Sequence, residues 1–229
     1  MQQNLTKHIY FTVSILVAII VLFGVTEIDT FIQDYFFNFE TQQWILDREL
    51  QPYKFLFYDG LKKLLIFSIV LLLFLSVIFR KTQLVQNYKK GIFIVVLSSI
   101  LVPVIVGGLK KYTNMPCPKN EIHYGGVYPK TAVWEHYPKE LTNKPKIRCW
   151  PAGHASGGFA LLSLFFLFKT KKIKTLAVVG AVVIGWSMGI YKMLIGDHFL
   201  SHTLITMLLS WFIILTIVTI LNNFWKVKR

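Results

Sequence analysis

Six apolar stretches divide this chain: Tyr10–Gly24, Leu64–Phe79, Ile92–Leu109, Ala155–Phe168, Leu176–Leu194 and Leu204–Leu221. With its apolar or small-residue flanks, each reaches about the 17–25 residues that a helix needs to cross a hydrocarbon core. Inside a bilayer the backbone must satisfy its own hydrogen bonds, so such stretches form helices. The expected fold is all-α: a polytopic membrane protein with six transmembrane helices in one bundle, a single domain over residues 1–229. Hydrophobic residues make up 54% of the chain, more than a soluble domain carries. The first stretch is expected to stay as a helix and not to be cleaved as a signal peptide. Only Lys7 and His8 precede it as basic or titratable residues, and Phe23-Gly24-Val25-Thr26 runs on into an acidic segment without a small-x-small site.

The formal net charge is +14, a value that suggests nucleic acid in a soluble protein. Its distribution points to topology instead. Lys7, Arg80, Lys81, Lys89, Lys90, Lys169, Lys171, Lys172, Lys174, Lys226, Lys228 and Arg229 occupy one set of loops, which holds no acid. The 11 acidic residues all fall in the other set. Short basic loops stay inside. Both termini are therefore expected in the cytoplasm, with residues 25–63 and 110–153 outside, and no nucleic-acid partner.

In the segment 25–63, Phe31, Tyr35, Phe36 and Phe39 recur at helical spacing, which predicts a short amphipathic helix at the outer interface. Trp44, Tyr53, Phe57 and Tyr58 suit the aromatic belt. The segment 110–153 carries prolines at 116, 118, 129, 138 and 145 and many lysines. It reads as a functional loop suited to an anionic head group. It also holds both cysteines, Cys117 and Cys149. Two thiols in one extracytoplasmic loop are expected to form a disulfide.

"RCWPAGHASGGFALL", from Arg148 to Leu162, opens the fourth apolar stretch. Pro151 suits the first helical position. The free N–H groups of Ala152 and Gly153 would then form an anion nest beside His154. Ala152, Ser156 and Ala160 make a small-residue stripe, which allows close helix packing. "YKMLIGDHFLSHTL" places His198 and His202 one turn apart on a helix face. Together with His154 they could hold zinc. The neighbouring cations Lys110, Lys111, Arg148 and Lys192 repel a divalent metal and favour a phosphate.

These residues resemble the signature of the type 2 phosphatidic acid phosphatase superfamily, whose bacterial members are integral-membrane lipid phosphate phosphatases. The family pattern is Lys-x6-Arg-Pro, then Pro-Ser-Gly-His, then Ser-Arg-x5-His-x3-Asp. In this chain "KKYTNMPCP" starts the first part at Lys110, with Cys117-Pro118 in place of Arg-Pro. The second part reads Pro151-Ala152-Gly153-His154, and the third Tyr191-Lys192, five residues, His198, three residues, His202. Spacing and order are kept throughout. The departures are Cys117, Ala152, Lys192 and His202.

The resemblance implies metal-independent hydrolysis with no cofactor. The substrate would be a phosphorylated membrane lipid such as undecaprenyl pyrophosphate, lipid A or phosphatidylglycerol phosphate. The site would lie at the outer edge of the bacterial inner membrane, facing the periplasm or outside. His198 would be the nucleophile, His154 the acid and base, and His202 the partner that orients His198. Lys110, Lys192 and the N–H groups of Ala152 and Gly153 would bind phosphate. Arg148, brought near by the disulfide, would replace the missing guanidinium. The two histidines should titrate as a coupled pair, with activity falling near or somewhat below neutrality. Two other readings are a metal-dependent membrane hydrolase using His154, His198 and His202, and a non-catalytic lipid-binding member of the fold.

Overall fold

A computed structural model describes residues 2–141 and 145–227. Lys228 and Arg229 lie outside the described residues, as does the 142–144 part of the long loop. The long helices are α1 (Gln2–Val25), α3 (Gly60–Ile78), α4 (Gln83–Leu109), α6 (Lys171–Leu194) and α7 (Leu200–Val227). Between α1 and α3 come a short helix α2 (Ile28–Asp34) and an antiparallel hairpin of β1 (Phe37–Asn38) and β2 (Gln43–Trp44). The helix α5 (Gly153–Ala160) continues as a 3-10 turn over Leu161–Phe166.

Five helical segments are long and apolar enough to cross a membrane, and Gly153–Phe166 is a shorter apolar one. The fourth expected stretch is thus not a full α-helical span. Eight α-helical residues and six 3-10 residues together rise about 24 Å, short of the ~30 Å of a typical hydrocarbon core. Its small residues set its place. A Cβ on Gly158 would lie 2.7 Å from the Gly185 Cα on α6, so the two backbones touch. Ala152, Ser156 and Ala160 are all buried.

The core forms around α7. Ile213, Ile214 and Ile217 pack with Val102 and Val106 of α4, Phe159 of α5 and Ala181 of α6. The helix α3 buries none of its residues. Leu64, Phe67 and Phe74 stand exposed along it, the surface that suits lipid tails.

The expected amphipathic helix is shorter than the aromatic spacing suggested. In α2, Phe31 is exposed while Asp29 and Gln33 are buried against the bundle. The helix stops at Asp34, and Phe37 turns inward on β1. The Asn38 side chain accepts from the Glu40 and Thr41 N–H groups at 2.9 and 3.0 Å, an Asx turn that competes with helix. The ends of α4 and α6 and the starts of α3, α5 and α7 meet at one end of the bundle, under the hairpin and the 110–153 loop.

Candidate active site

The turn between α6 and α7 carries the first histidine. Gly196 adopts a left-handed φ of +69°, as a helix-ending glycine does. The Lys192 carbonyl accepts from the N–H groups of Asp197 and His198 at 2.8 and 3.2 Å. Trp44 closes over this turn so tightly that a Cβ on Gly196 would come within 2.2 Å of the indole.

His198 and His202 are both buried, and their Nδ1 atoms lie 3.2 Å apart. Burial in the protein pushes the His198 imidazole well below the ordinary histidine range, and the charge of Lys110 adds to this. The His202 Nε2 is buried without a hydrogen-bond partner among the described residues.

Lys110 reaches the start of α5: a Cβ on Gly153 would sit 3.2 Å from its Cε and 3.5 Å from its Nζ. Glycine thus lets the ammonium approach the helix N-terminus. His154, half-buried, packs its ring 4.5 Å from that of Tyr58. The Lys192 ammonium lies over the same Tyr58 ring at 4.2 Å, a cation–π contact. Tyr58 therefore links the two expected site residues, a role that its place in an aromatic-rich segment did not reveal.

Asp197 was also missed, though it adjoins His198. Its carboxylate accepts from the ammonium groups of Lys192 at 2.8 Å and Lys119 at 2.7 Å, and Arg48 lies 3.5 Å away. Burial alone would raise its pKa, but Lys192 and Lys119 outweigh it and hold it below the usual carboxylate value. Beyond Lys192 a polar cavity of about 310 Å³ opens between Arg48, Lys54 and Tyr191.

Cys117 and Cys149 are joined in a disulfide with Cα atoms 5.2 Å apart. The bridge lies where the long loop is fastened to the turn that holds His198. Lys119 N–H donates to the Gly196 carbonyl at 3.0 Å, and the Cys149 sulfur lies 3.6 Å from His198 Nδ1. Arg148, next in sequence, is exposed; the guanidinium that reaches the Asp197 cluster belongs to Arg48.

Ala152 also differs from expectation. It caps α5 from outside the helix and is fully buried. Its N–H is taken up internally, by Thr206 Oγ1 at 2.8 Å and the His202 carbonyl at 3.3 Å. It ties α5 to α7 instead of facing a ligand. The helix starts two residues after Pro151, at Gly153.

From the other side, Asp29 of α2 grips the start of α7. Its carboxylate accepts from the Ser201 N–H at 2.9 Å and from the Ser201 hydroxyl. Gln33 donates to the Met193 carbonyl at 2.8 Å. The segment between α1 and α3 thus holds both ends of the turn that carries His198.

A metal fits these residues poorly. Donor atoms of Cys149, His198 and His202 lie within 4.8 Å of one another, but the Cys149 sulfur is committed to the disulfide. Two imidazoles remain, fewer than the three protein ligands that a catalytic zinc usually takes, and Lys110 and Lys192 stand beside them.

An apolar groove of about 600 Å³ runs from this site along α3, α4 and α5. His154, Gly153 and Lys62 line one end, and Leu73, Val96 and Ile100 line its length.

A family model described as PAP2 superfamily matches residues 91–226. That range takes in Lys110, His154, Lys192, His198 and His202. No curated protein and no solved structure matches the chain. With more than half of its length matched, the chain belongs to the PAP2 superfamily, the type 2 phosphatidic acid phosphatases.

Proposed function

We propose that this protein is a lipid phosphatase that hydrolyses a membrane lipid phosphate or pyrophosphate through a phosphohistidine, without a metal. One observation carries the reading: His154 stands at one end of an apolar groove, with the Lys110 ammonium at the neighbouring Gly153 and the Lys192 ammonium on the Tyr58 ring that His154 also touches. Such a groove holds a hydrocarbon chain, while the cations hold its phosphate.

In this scheme His198 Nδ1–H donates to His202 Nδ1, which leaves the His198 Nε2 lone pair free to attack phosphorus. The N–P bond forms as the bond from phosphorus to the lipid oxygen breaks. His154, at the mouth of the groove, gives its proton to that oxygen. Water then attacks the phosphohistidine. His154 takes a proton from the water, the N–P bond breaks, and phosphate leaves. Lys110, Lys192 and the Gly153 N–H stabilise the charge on the equatorial oxygens. Asp197 holds Lys192 and Lys119 in place. Arg148 serves at the rim, where it attracts the anionic headgroup.

The acid-free basic loops are cytoplasmic in this reading, as are both termini. Gly153–Phe166 completes a bundle of six crossings, and the site faces outward from a bacterial inner membrane. Undecaprenyl pyrophosphate, lipid A and phosphatidylglycerol phosphate are the substrate types to compare. The experiment is release of inorganic phosphate from each by detergent-purified protein in EDTA. Turnover in EDTA, lost in His198→Ala, is expected. Turnover that requires an added divalent metal would overturn the scheme, and its absence from every lipid would favour a non-catalytic lipid-binding protein.

A further inference from the structure

A second cavity lies at the opposite end of the bundle from the histidines. Lys90 and Lys110 belong to the two ends of α4 and stand about 30 Å apart along its axis, the thickness of a hydrocarbon core. The cavity beside Lys90 measures about 390 Å³. Four segments build it: the start of α1, the start of α4, the turn before α6 and the end of α7.

Lys90 and Lys169 give its polar wall positive charge. His8, Lys90 and Lys169 line it from three different segments, and Asn87 and Asn222 add side-chain amides. Asn87 accepts at its Oδ1 from Gln83 Nε2 at 3.1 Å, which leaves its N–H2 group as the part offered to a ligand. Lys169 is positioned by the Tyr88 ring, 4.7 Å from its Nζ. No carboxylate is among the described residues that line the cavity. The deeper wall is apolar, with Leu5, Ile94, Phe166 and Val218.

Lysines in short loops set topology and need no ligand. Here they converge on one concavity that joins donors to an apolar wall at interfacial depth. That combination matches a phosphodiester headgroup with the first methylenes of its chains. We propose that this cavity binds an anionic phospholipid of the leaflet opposite the active site. The site is separate from the phosphatase chemistry.

The test uses the full chain, delipidated in detergent, and follows its thermal unfolding with added dioleoylphosphatidylglycerol, dioleoylphosphatidylcholine or glycerol 3-phosphate. Phosphatidylglycerol should raise the midpoint, and the other two should not. The double variant Lys90→Gln/Lys169→Gln should need about tenfold more phosphatidylglycerol for the same rise, with phosphate release at the wild-type rate. Asn222→Trp, which fills the cavity and keeps the charge, should have the same effect if the double variant does not fold. An equal rise with glycerol 3-phosphate would point to a water-soluble ligand and overturn the proposal. So would an equal rise with phosphatidylcholine, or an undiminished rise in both variants.

Discussion

His198 and His202 meet Nδ1 to Nδ1 at 3.2 Å in a site where both rings are buried. One nitrogen must donate and the other accept, so the contact holds one ring neutral to serve the other. If His202 accepts, a neutral His198 keeps an unprotonated Nε2. His198→Ala should lower turnover on the order of 10³-fold or more while the protein stays folded in detergent. His202→Ala should lower it less, since it removes an orienting group. A His198→Ala enzyme that retains a few per cent of the wild-type rate would rule out the phosphohistidine.

The acid limb of activity follows from the same burial. His198 titrates well below the ordinary histidine value, because burial and then Lys110 disfavour its charged form. The attacking form is neutral, so a lowered pKa keeps it available as pH falls. Turnover should persist below pH ~6.5, the ordinary histidine pKa, and fall only at more acidic pH. This lies below the near-neutral limb expected of the coupled pair from the sequence, because desolvation and Lys110 add to the mutual repulsion that already disfavours the charged form. His202→Asp should place a carboxylate against His198, favour its cation and move the acid limb upward. The pH profile of turnover for wild type and variant checks both points.

The groove makes a prediction about chain length. Gly157 lines it, and the nearest atom to a Cβ there is Leu65 Cδ1 at 3.9 Å. Gly157→Phe should fit the fold and fill the groove. The KM for a long-chain lipid phosphate should rise about tenfold, and hydrolysis of a short, water-soluble phosphate ester should be little changed. Equal effects on both esters would mean that the chain of the substrate lies elsewhere.

Gly196 is required twice over, by its positive φ and by the Trp44 ring. Gly196→Ala should cost about 2–4 kcal/mol and displace His198, with loss of turnover. Adding Trp44→Ala should recover stability only in part, since it relieves the clash and not the backbone strain. Thermal unfolding of the two proteins measures this. Full recovery would show that the φ is not limiting.

Glu121 is buried in the 110–153 loop, and burial raises its carboxyl to about 8. The folded state therefore binds this proton more tightly than the unfolded chain. The stability this contributes is present at low pH and is lost as pH rises through about 8. Glu121→Gln should stabilise the protein at pH ~9 by an amount on the order of 2–4 kcal/mol and change little at pH ~5. An equal effect at both pH values would show that the charge on Glu121 is not the cause.

The sequence by itself determined the helical class, the cluster of motifs and the cysteine pair. These are local or additive properties. Apolar length makes a helix, spacing places His198 and His202 on one face, and two thiols in one loop have only each other. The sequence did not show that α5 is short, because hydropathy does not register how Gly158 against Gly185 and a 3-10 extension shape a segment. Tertiary structure alone decided which neighbours the site residues meet. Asp197 draws Lys192 and Lys119 from separate segments, Tyr58 lies between His154 and Lys192, and Thr206 takes the N–H of Ala152. Arg148 is exposed while Arg48 reaches in, although Arg148 is the one beside the disulfide in sequence. The physical reason is that a charge interacts through a few ångströms of space whatever its distance along the chain. Only the packing of helices and loops sets which charges come that close.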